Sequence, residues 1–171
     1  MRKLIDMVEQ SLMYHPGFKH SVGVMKMALK LNEMHSLNVD SDAIKLAALL
    51  HDVTKTNTDD ENLEIIKTHM PNILDEDLLS SPSIWHAFTG KIIARDNYHI
   101  INEDILNAIF YHTTGRPNMS NLEKLIFLSD YIELGRIGKN FEDIREIAYK
   151  DINQAIISMY ENQFEYLNSK Q

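Results

Sequence analysis

Apolar residues recur at helical spacing along nearly all of this 171-residue chain, and several of the stripes they form run straight into a histidine or an aspartate. Ile44, Ala47 and Ala48 lie at i, i+3 and i+4, and His51 and Asp52 continue that face at i+7 and i+8. Ile105, Ala108 and Ile109 lead to His112 with the same spacing, and Leu122 and Ile126 lead to Asp130 in steps of four, beside Leu125 and Ser129. His20 stands one to three turns before Val24, Met27, Ala28 and Leu31. His86 shares a face with Thr89, Gly90 and Ile93, next to an apolar face of Trp85, Phe88 and Ile92. No period-two run of strand length competes with these patterns, so the chain reads as all-α.

The periodicity predicts helices over 2–14, 18–36, 40–54, 60–69, 75–80, 82–96, 102–113, 118–136 and 141–167. Breaks fall at Pro16-Gly17, Pro71, Pro82 and Gly115-Arg116-Pro117. Asp40 or Ser41, Ser81 or Ser83, Asn102, and Asn118 or Ser120 stand where N-caps belong. With no repeat, low-complexity tract or linker, residues 1–171 read as a single helical domain, with 141–167 as a C-terminal helix. Its stripe of Ile152, Ala155, Ile156, Met159 and Tyr160 suits core packing or a homodimer surface.

A formal net charge of −8 disfavours a nucleic-acid polymer as partner, because phosphate-backbone binding calls for a basic face. It leaves small phosphorylated ligands open, since a metal ion inverts the local field. Cysteine is absent, which removes disulfides and thiolate metal sites from consideration. Asp6 and Glu9 interrupt the start where a signal peptide needs an apolar run, and no stretch approaches the roughly 18 apolar residues of a membrane span. The expectation is a cytoplasmic protein without membrane association.

A buried carboxylate must gain a partner, a proton or a metal. Five helices that each end an inward face on His or Asp therefore point to convergence on divalent ions, for which imidazole and carboxylate are suitable ligands. The order His20, His51-Asp52, Asp130 resembles the H…HD…D pattern of the HD superfamily of metal-dependent phosphohydrolases, with His86 and His112 placed as in its two-metal members. Local strings are more specific. Lys19-His20-Ser21-Val22-Gly23-Val24, Ala47 through Lys55, Ile84-Trp85-His86-Ala87, Ala108 through Arg116, and Leu128-Ser129-Asp130-Tyr131-Ile132-Glu133 with Arg136 resemble the YqeK family, the HD-type symmetrical diadenosine tetraphosphate hydrolases. The likeness covers residues 15–150. The chain departs from the family at Gly17, near where relatives often carry Arg, and at Ser129, where they often have Ala.

The resemblance implies an HD-domain helical bundle with two divalent metal ions, iron favoured and Mn, Co or Zn as alternatives. One ion would be held by His20, His51, Asp52 and Asp130, the other by His86, His112 and a bridging oxygen of Asp52. A hydroxide between them would attack phosphorus and cleave diadenosine tetraphosphate into two ADP. Lys55, at i+4 from His51, would orient or neutralise phosphate; the alternative is a lysine serving a helix C-terminus. Arg116 suits bidentate phosphate binding or a solvent-exposed loop. Thr113 and Thr114 would touch phosphate or cap the turn, and Gly115 would take a left-handed conformation. Glu133 and Arg136 would reach the ligands or substrate, or form an ordinary intrahelical pair. His15, His35, His69 and His99 read as surface or capping residues, and Trp85, Tyr111 and Tyr131 as core or as stacking platforms for a base. Competing readings are another HD-type nucleotide phosphohydrolase and a nucleotide-sensing helical domain without turnover.

Overall fold

The computed structural model describes residues 2–168, and all regular structure among them is helical. The ten α-helices are α1 (Arg2–Leu12), α2 (Phe18–Met34), α3 (Ser41–Leu50), α4 (Asp59–His69), α5 (Glu76–Leu79), α6 (Trp85–Asp96), α7 (Glu103–Phe110), α8 (Asn121–Ile132), α9 (Lys139–Ala148) and α10 (Ile152–Asn168). Two single 3-10 turns, Pro71–Ile73 and Pro82–Ile84, flank α5. No helix among the described residues is long and apolar enough to cross a membrane.

The starts of α3, α7 and α8 are chemical. Asp40 accepts from the Asp42 amide, Asn102 from Asp104 and Ile105, and Ser120 forms a reciprocal capping box with Glu123. Thr58 and Glu61 make a second capping box at α4, one residue ahead of the expected start. Ser81 and Ser83 cap nothing at α6, because Pro82 begins a 3-10 turn that leads directly into Trp85.

Helix ends differ most from expectation. The predicted helix over 40–54 stops at Leu50, that over 102–113 at Phe110, and that over 118–136 at Ile132. The predicted 141–167 helix is two helices: Lys150 and Asp151 both turn back to the Ile147 carbonyl, and Asp151 then accepts from the Gln154 amide to start α10. An aspartate directly before the apolar Ile152 was a legible cap signal.

Helix α3 is the centre of the bundle. Seven of its ten residues are buried, and it packs against α1, α2, α7 and α8. Ala47 and Ala48 keep its surface low where these neighbours approach. The α9–α10 turn places Ile152, Ala155, Ile156 and Met159 in the same core, so the C-terminal stripe is committed to packing within the chain. A smaller cluster of Ile66, Leu78, Trp85 and Phe88 joins α4, α5 and α6, and the Trp85 indole donates to the Leu78 carbonyl at 2.8 Å. The C-terminal ends of α3, α7 and α8 and the N-terminal turns of α2 and α6 thereby meet around one point.

Candidate metal centre

His51 and Asp52 lie in the turn that follows α3, where three-residue bonds (Val53 N to Leu50 O, Lys55 N to Asp52 O) replace the helical ladder. The His51 ring is fully buried, and its Nδ1 donates to the Ala48 carbonyl at 2.7 Å. A carbonyl only accepts, so Nδ1 carries the proton and Nε2 presents a lone pair. His112 repeats the arrangement after α7: its Nδ1 donates to the Ile109 carbonyl at 2.7 Å. The two rings meet edge to face with centroids 4.9 Å apart.

Asp52 divides its carboxylate between two groups of imidazoles. Oδ1 lies 3.2 Å from His86 Nε2 and 3.4 Å from His112 Nε2, while Oδ2 lies 3.5 Å from His51 Nε2 and 3.9 Å from His20 Nε2. On the latter side, Asp130 Oδ1 sits 2.8 Å from His20 Nε2 and 3.9 Å from His51 Nε2. On the former side, His86 Nε2 and His112 Nε2 are 3.1 Å apart. The structure thus brings together all six side chains that the helical phase and the resemblance single out. Two triads, His20-His51-Asp130 and His51-Asp52-His112, each have ligand atoms within 4.8 Å of one another.

The electrostatics follow from burial and this crowding. Burial pushes His51 and His86 below the ordinary imidazole value, against the pull of Asp52. Burial alone would raise the Asp52 and Asp130 carboxyls. The imidazoles outweigh it, chiefly His51 with His112 and His86 for Asp52, and His20 with His51 for Asp130, and hold both far below the carboxylate range. His20 is raised, first by its hydrogen bond with Asp130.

The donor set is imidazole nitrogen and carboxylate oxygen, which suits divalent transition metals. Two of its buried atoms, His51 Nε2 and Asp52 Oδ1, have no hydrogen-bond partner among the described residues. Buried polar atoms rarely go unpaired, and coordination of a cation satisfies both. By this test the residues fit divalent metal binding.

Around the six lie the other candidates. Lys55 reaches 3.5 Å from Asp52 Oδ1 and 3.1 Å from His86 Nε2, although its backbone is in the turn and not in a continued helix. Glu133 is buried beneath His20, contacting Nδ1 at 3.2 Å and accepting from the Gly135 amide at 2.6 Å. Gly23 permits this approach, because a Cβ there would collide with the Glu133 carboxylate. Arg136 donates to the Asp130 carboxylate at 3.2 Å and to its carbonyl at 3.3 Å. Arg116 instead forms a two-point ion pair with buried Glu123, at 2.6 and 3.0 Å, and stacks over Tyr111. The Thr113 hydroxyl is buried without a partner among the described residues, as is that of Ser129 beside Asp130. Thr114 donates to the Gly115 carbonyl, and Gly115 has the left-handed φ of +62°.

The four remaining histidines stay apart from this cluster: His35 binds the Ala148 carbonyl at 2.7 Å, for example, and His15 accepts from the Gly17 amide at 3.1 Å. Sequence reasoning missed two supports. Arg145 clamps the end of α8 by donating to the carbonyls of Ile132, Glu133 and Arg136. Thr54, Thr89 and Asn62 form a buried chain in which Thr54 bonds the His86 carbonyl at 2.9 Å and Thr89 bonds Asn62 at 2.8 Å. Thr89, three residues after His86, was the available signal for the second.

Comparisons with known proteins agree with this geometry. The HD domain family model matches residues 17–135. A symmetrical bis(5'-nucleosyl)-tetraphosphatase of Bacillus subtilis is 38% identical over 165 residues, 95% of this chain and 85% of the relative. Another of that description, from Halalkalibacterium halodurans, is 37% identical over 98% of this chain and 87% of its own. A crystal structure from Clostridium acetobutylicum, described as a predicted HD superfamily hydrolase involved in NAD metabolism, superposes with a TM-score of 0.88 at 34% identity, covering 99% of this chain and 87% of that one. The chain belongs to the HD domain family, on the branch that includes the symmetrical bis(5'-nucleosyl)-tetraphosphatases.

Proposed function

We propose that this protein hydrolyses diadenosine tetraphosphate symmetrically: one water is consumed, the central phosphoanhydride breaks, and two ADP leave. The carrying observation is the convergence of His20, His51, Asp52, His86, His112 and Asp130 with two of their buried donor atoms unpartnered. Near-full-length identity to relatives described by that activity supports the choice of substrate.

In this reading His20, His51, Asp52 and Asp130 would hold one divalent ion, and His86, His112 and Asp52 would hold a second. Such ions, when bound, would supply a nucleophile at neutral pH and Lewis-acid stabilisation of phosphoryl charge. We take iron as the first metal to load, with Mn, Co and Zn as alternatives suited to the same donors. The chain itself contributes position and charge. His51 and His112 are locked by backbone carbonyls, and Glu133 orients His20, which keeps the ligands in place. Lys55, half exposed above Asp52, neutralises a phosphoryl oxygen at the point of attack. Arg136, at the rim beside Asp130, takes a second phosphate, whereas the Thr113 hydroxyl is buried and not open to one. Glu133 acts through His20 and not on substrate. Arg116 acts through Glu123 and the capping box of α8 unless substrate draws it away.

The test is product analysis. Metal-loaded protein incubated with diadenosine tetraphosphate should yield ADP alone, whereas ATP plus AMP, or no turnover under any of the four metals, would overturn the reading.

A further inference from the structure

One stripe of α2 carries Lys19, Val22, Gly23, Lys26, Met27 and Lys30, at i, i+3, i+4, i+7, i+8 and i+11. These residues line a cleft of about 880 Å³ that opens beside the metal-ligand cluster, since His20 and Glu133 form part of its wall. The volume is within the range of small-molecule sites. Phe18 and Leu134 add apolar surface, and Leu134 is 73% exposed on the loop after α8.

The charge of this cleft runs against that of the chain. The protein has a net charge of −8, yet three lysines and a single carboxylate line the cleft. That carboxylate, Glu133, is taken up by His20 and the Gly135 amide. Lys30 sits 3.9 Å over the Tyr149 ring. Lys19 and Lys26 are exposed and have no ion pair or hydrogen bond among the described residues. An apolar wall with two uncommitted ammonium groups matches a molecule that is flat and apolar at one end and polyanionic at the other.

We propose that the cleft holds one nucleoside-diphosphate half of the substrate, an assignment that rests on the proposed hydrolysis. Lys19 lies next to His20, and Lys26 lies seven residues beyond Lys19, about 10.5 Å of helix rise. Phosphates leaving the centre therefore pass along the two ammonium groups, and the nucleoside lies against Phe18, Val22, Met27 and Leu134. When water adds to one central phosphorus, the bridging oxygen departs with the other half. Each half keeps two phosphates, so the cleft receives a nucleoside diphosphate whichever half accepts the water oxygen.

Isothermal titration of ADP and of adenosine into the manganese-loaded full chain tests this. Lys26→Glu and Lys19→Glu should each weaken ADP binding about tenfold, and leave adenosine binding within about twofold, because charge reversal acts on the phosphates. Lys67→Glu, on α4 and outside the cleft, should change neither. Photolabelling with 8-azido-ADP should place the label on peptides containing Val22 to Met27 or Leu134. Unchanged ADP affinity in both cleft variants, a label elsewhere, or no ADP binding by the unaltered protein would overturn the proposal. Cleavage to two ADP by a protein whose ADP affinity ignores Lys19 and Lys26 would refute the cleft alone. Lysine-dependent ADP binding without cleavage of diadenosine tetraphosphate would refute the hydrolytic reading alone.

Discussion

His51 and His112 are held in the same way: each ring donates from Nδ1 at 2.7 Å to the carbonyl three residues before it and turns Nε2 toward Asp52. Two helices from different parts of the chain thus end in the same device, with their rings 4.9 Å apart. Such backbone locking fixes the tautomer before any cation arrives, so little ring reorganisation accompanies binding.

Asp52 is the one ligand with oxygens directed to both groups of imidazoles. Asp52→Asn keeps the shape but removes the charge, and it should abolish binding at both positions. His86→Ala should release only the ion shared with His112. Metal analysis after gel filtration reads the difference, and turnover of Asp52→Asn should fall by more than about 100-fold, beyond the loss typical of an outer-shell change. Full metal content in Asp52→Asn would refute the bridging role.

Glu133 supports His20 and not the substrate. Glu133→Gln retains a hydrogen-bond acceptor, whereas Glu133→Ala leaves the half-buried His20 ring unsupported at Nδ1. The alanine variant should lose about 10- to 100-fold in metal affinity, and the glutamine variant less. Equal losses measured by competition with a chelating dye would contradict this.

Lys55 and Arg136 face the centre from its solvent side, with side chains 52% and 44% exposed. Lys55→Ala should lower kcat by about 100-fold, and leave the melting temperature nearly unchanged. Arg136→Ala should act mainly on KM, by roughly tenfold. A large loss of stability in either variant would assign the residue to folding instead.

The metal-free protein should lose stability as pH falls. His51 and His86 have folded pKa values below the unfolded 6.5, chiefly through burial. Below about 6.5 the unfolded chain therefore binds protons that the folded chain does not, and stability present above that pH is lost. His20, raised by Asp130, works in the opposite direction, but burial offsets part of its rise and its ring is more exposed than those of His51 and His86. Melting temperatures of the chelator-treated protein should fall between pH 7.5 and 5.5. Added divalent metal should restore stability at the higher pH and less at the lower, where its ligands protonate.

Gly115 has φ of +62°, and a Cβ there would run into the Tyr160 hydroxyl that donates to the Thr114 carbonyl. Gly115→Ala should cost at least about 1–2 kcal/mol in denaturant unfolding. Removing the hydroxyl in the same chain with Tyr160→Phe should return part of it.

Much of this architecture was legible because helical phase is local. Ile44, Ala47 and Ala48 are buried, and the face they predict does carry His51 inward; Ile105, Ala108 and Ile109 do the same for His112. Caps with side-chain acceptors, at Asp40, Asn102 and Ser120, were equally readable. Helix ends were not. Residues 51–54, 111–113 and 133–136 were read as continuing their helices but lie beyond α3, α7 and α8: His51 and His112 turn back on carbonyls of their own helices, and Thr54 and Glu133 bond to α6 and α2. Asp151 was a readable cap overridden by an unbroken apolar stripe.

Composition and period by themselves determined an all-helical chain without thiol chemistry, and determined which faces of its helices present imidazole and carboxylate to the interior. Only the tertiary structure decided who meets whom: Asp130 and Glu133 on His20 across more than 100 residues, Arg116 on Glu123 instead of an open loop, and one oxygen of Asp52 for each group of imidazoles. The reason is physical. A helix repeats every 3.6 residues and so encodes direction over a few turns, whereas partners distant in sequence are set by where the packed ends of α2, α3, α6, α7 and α8 come to rest.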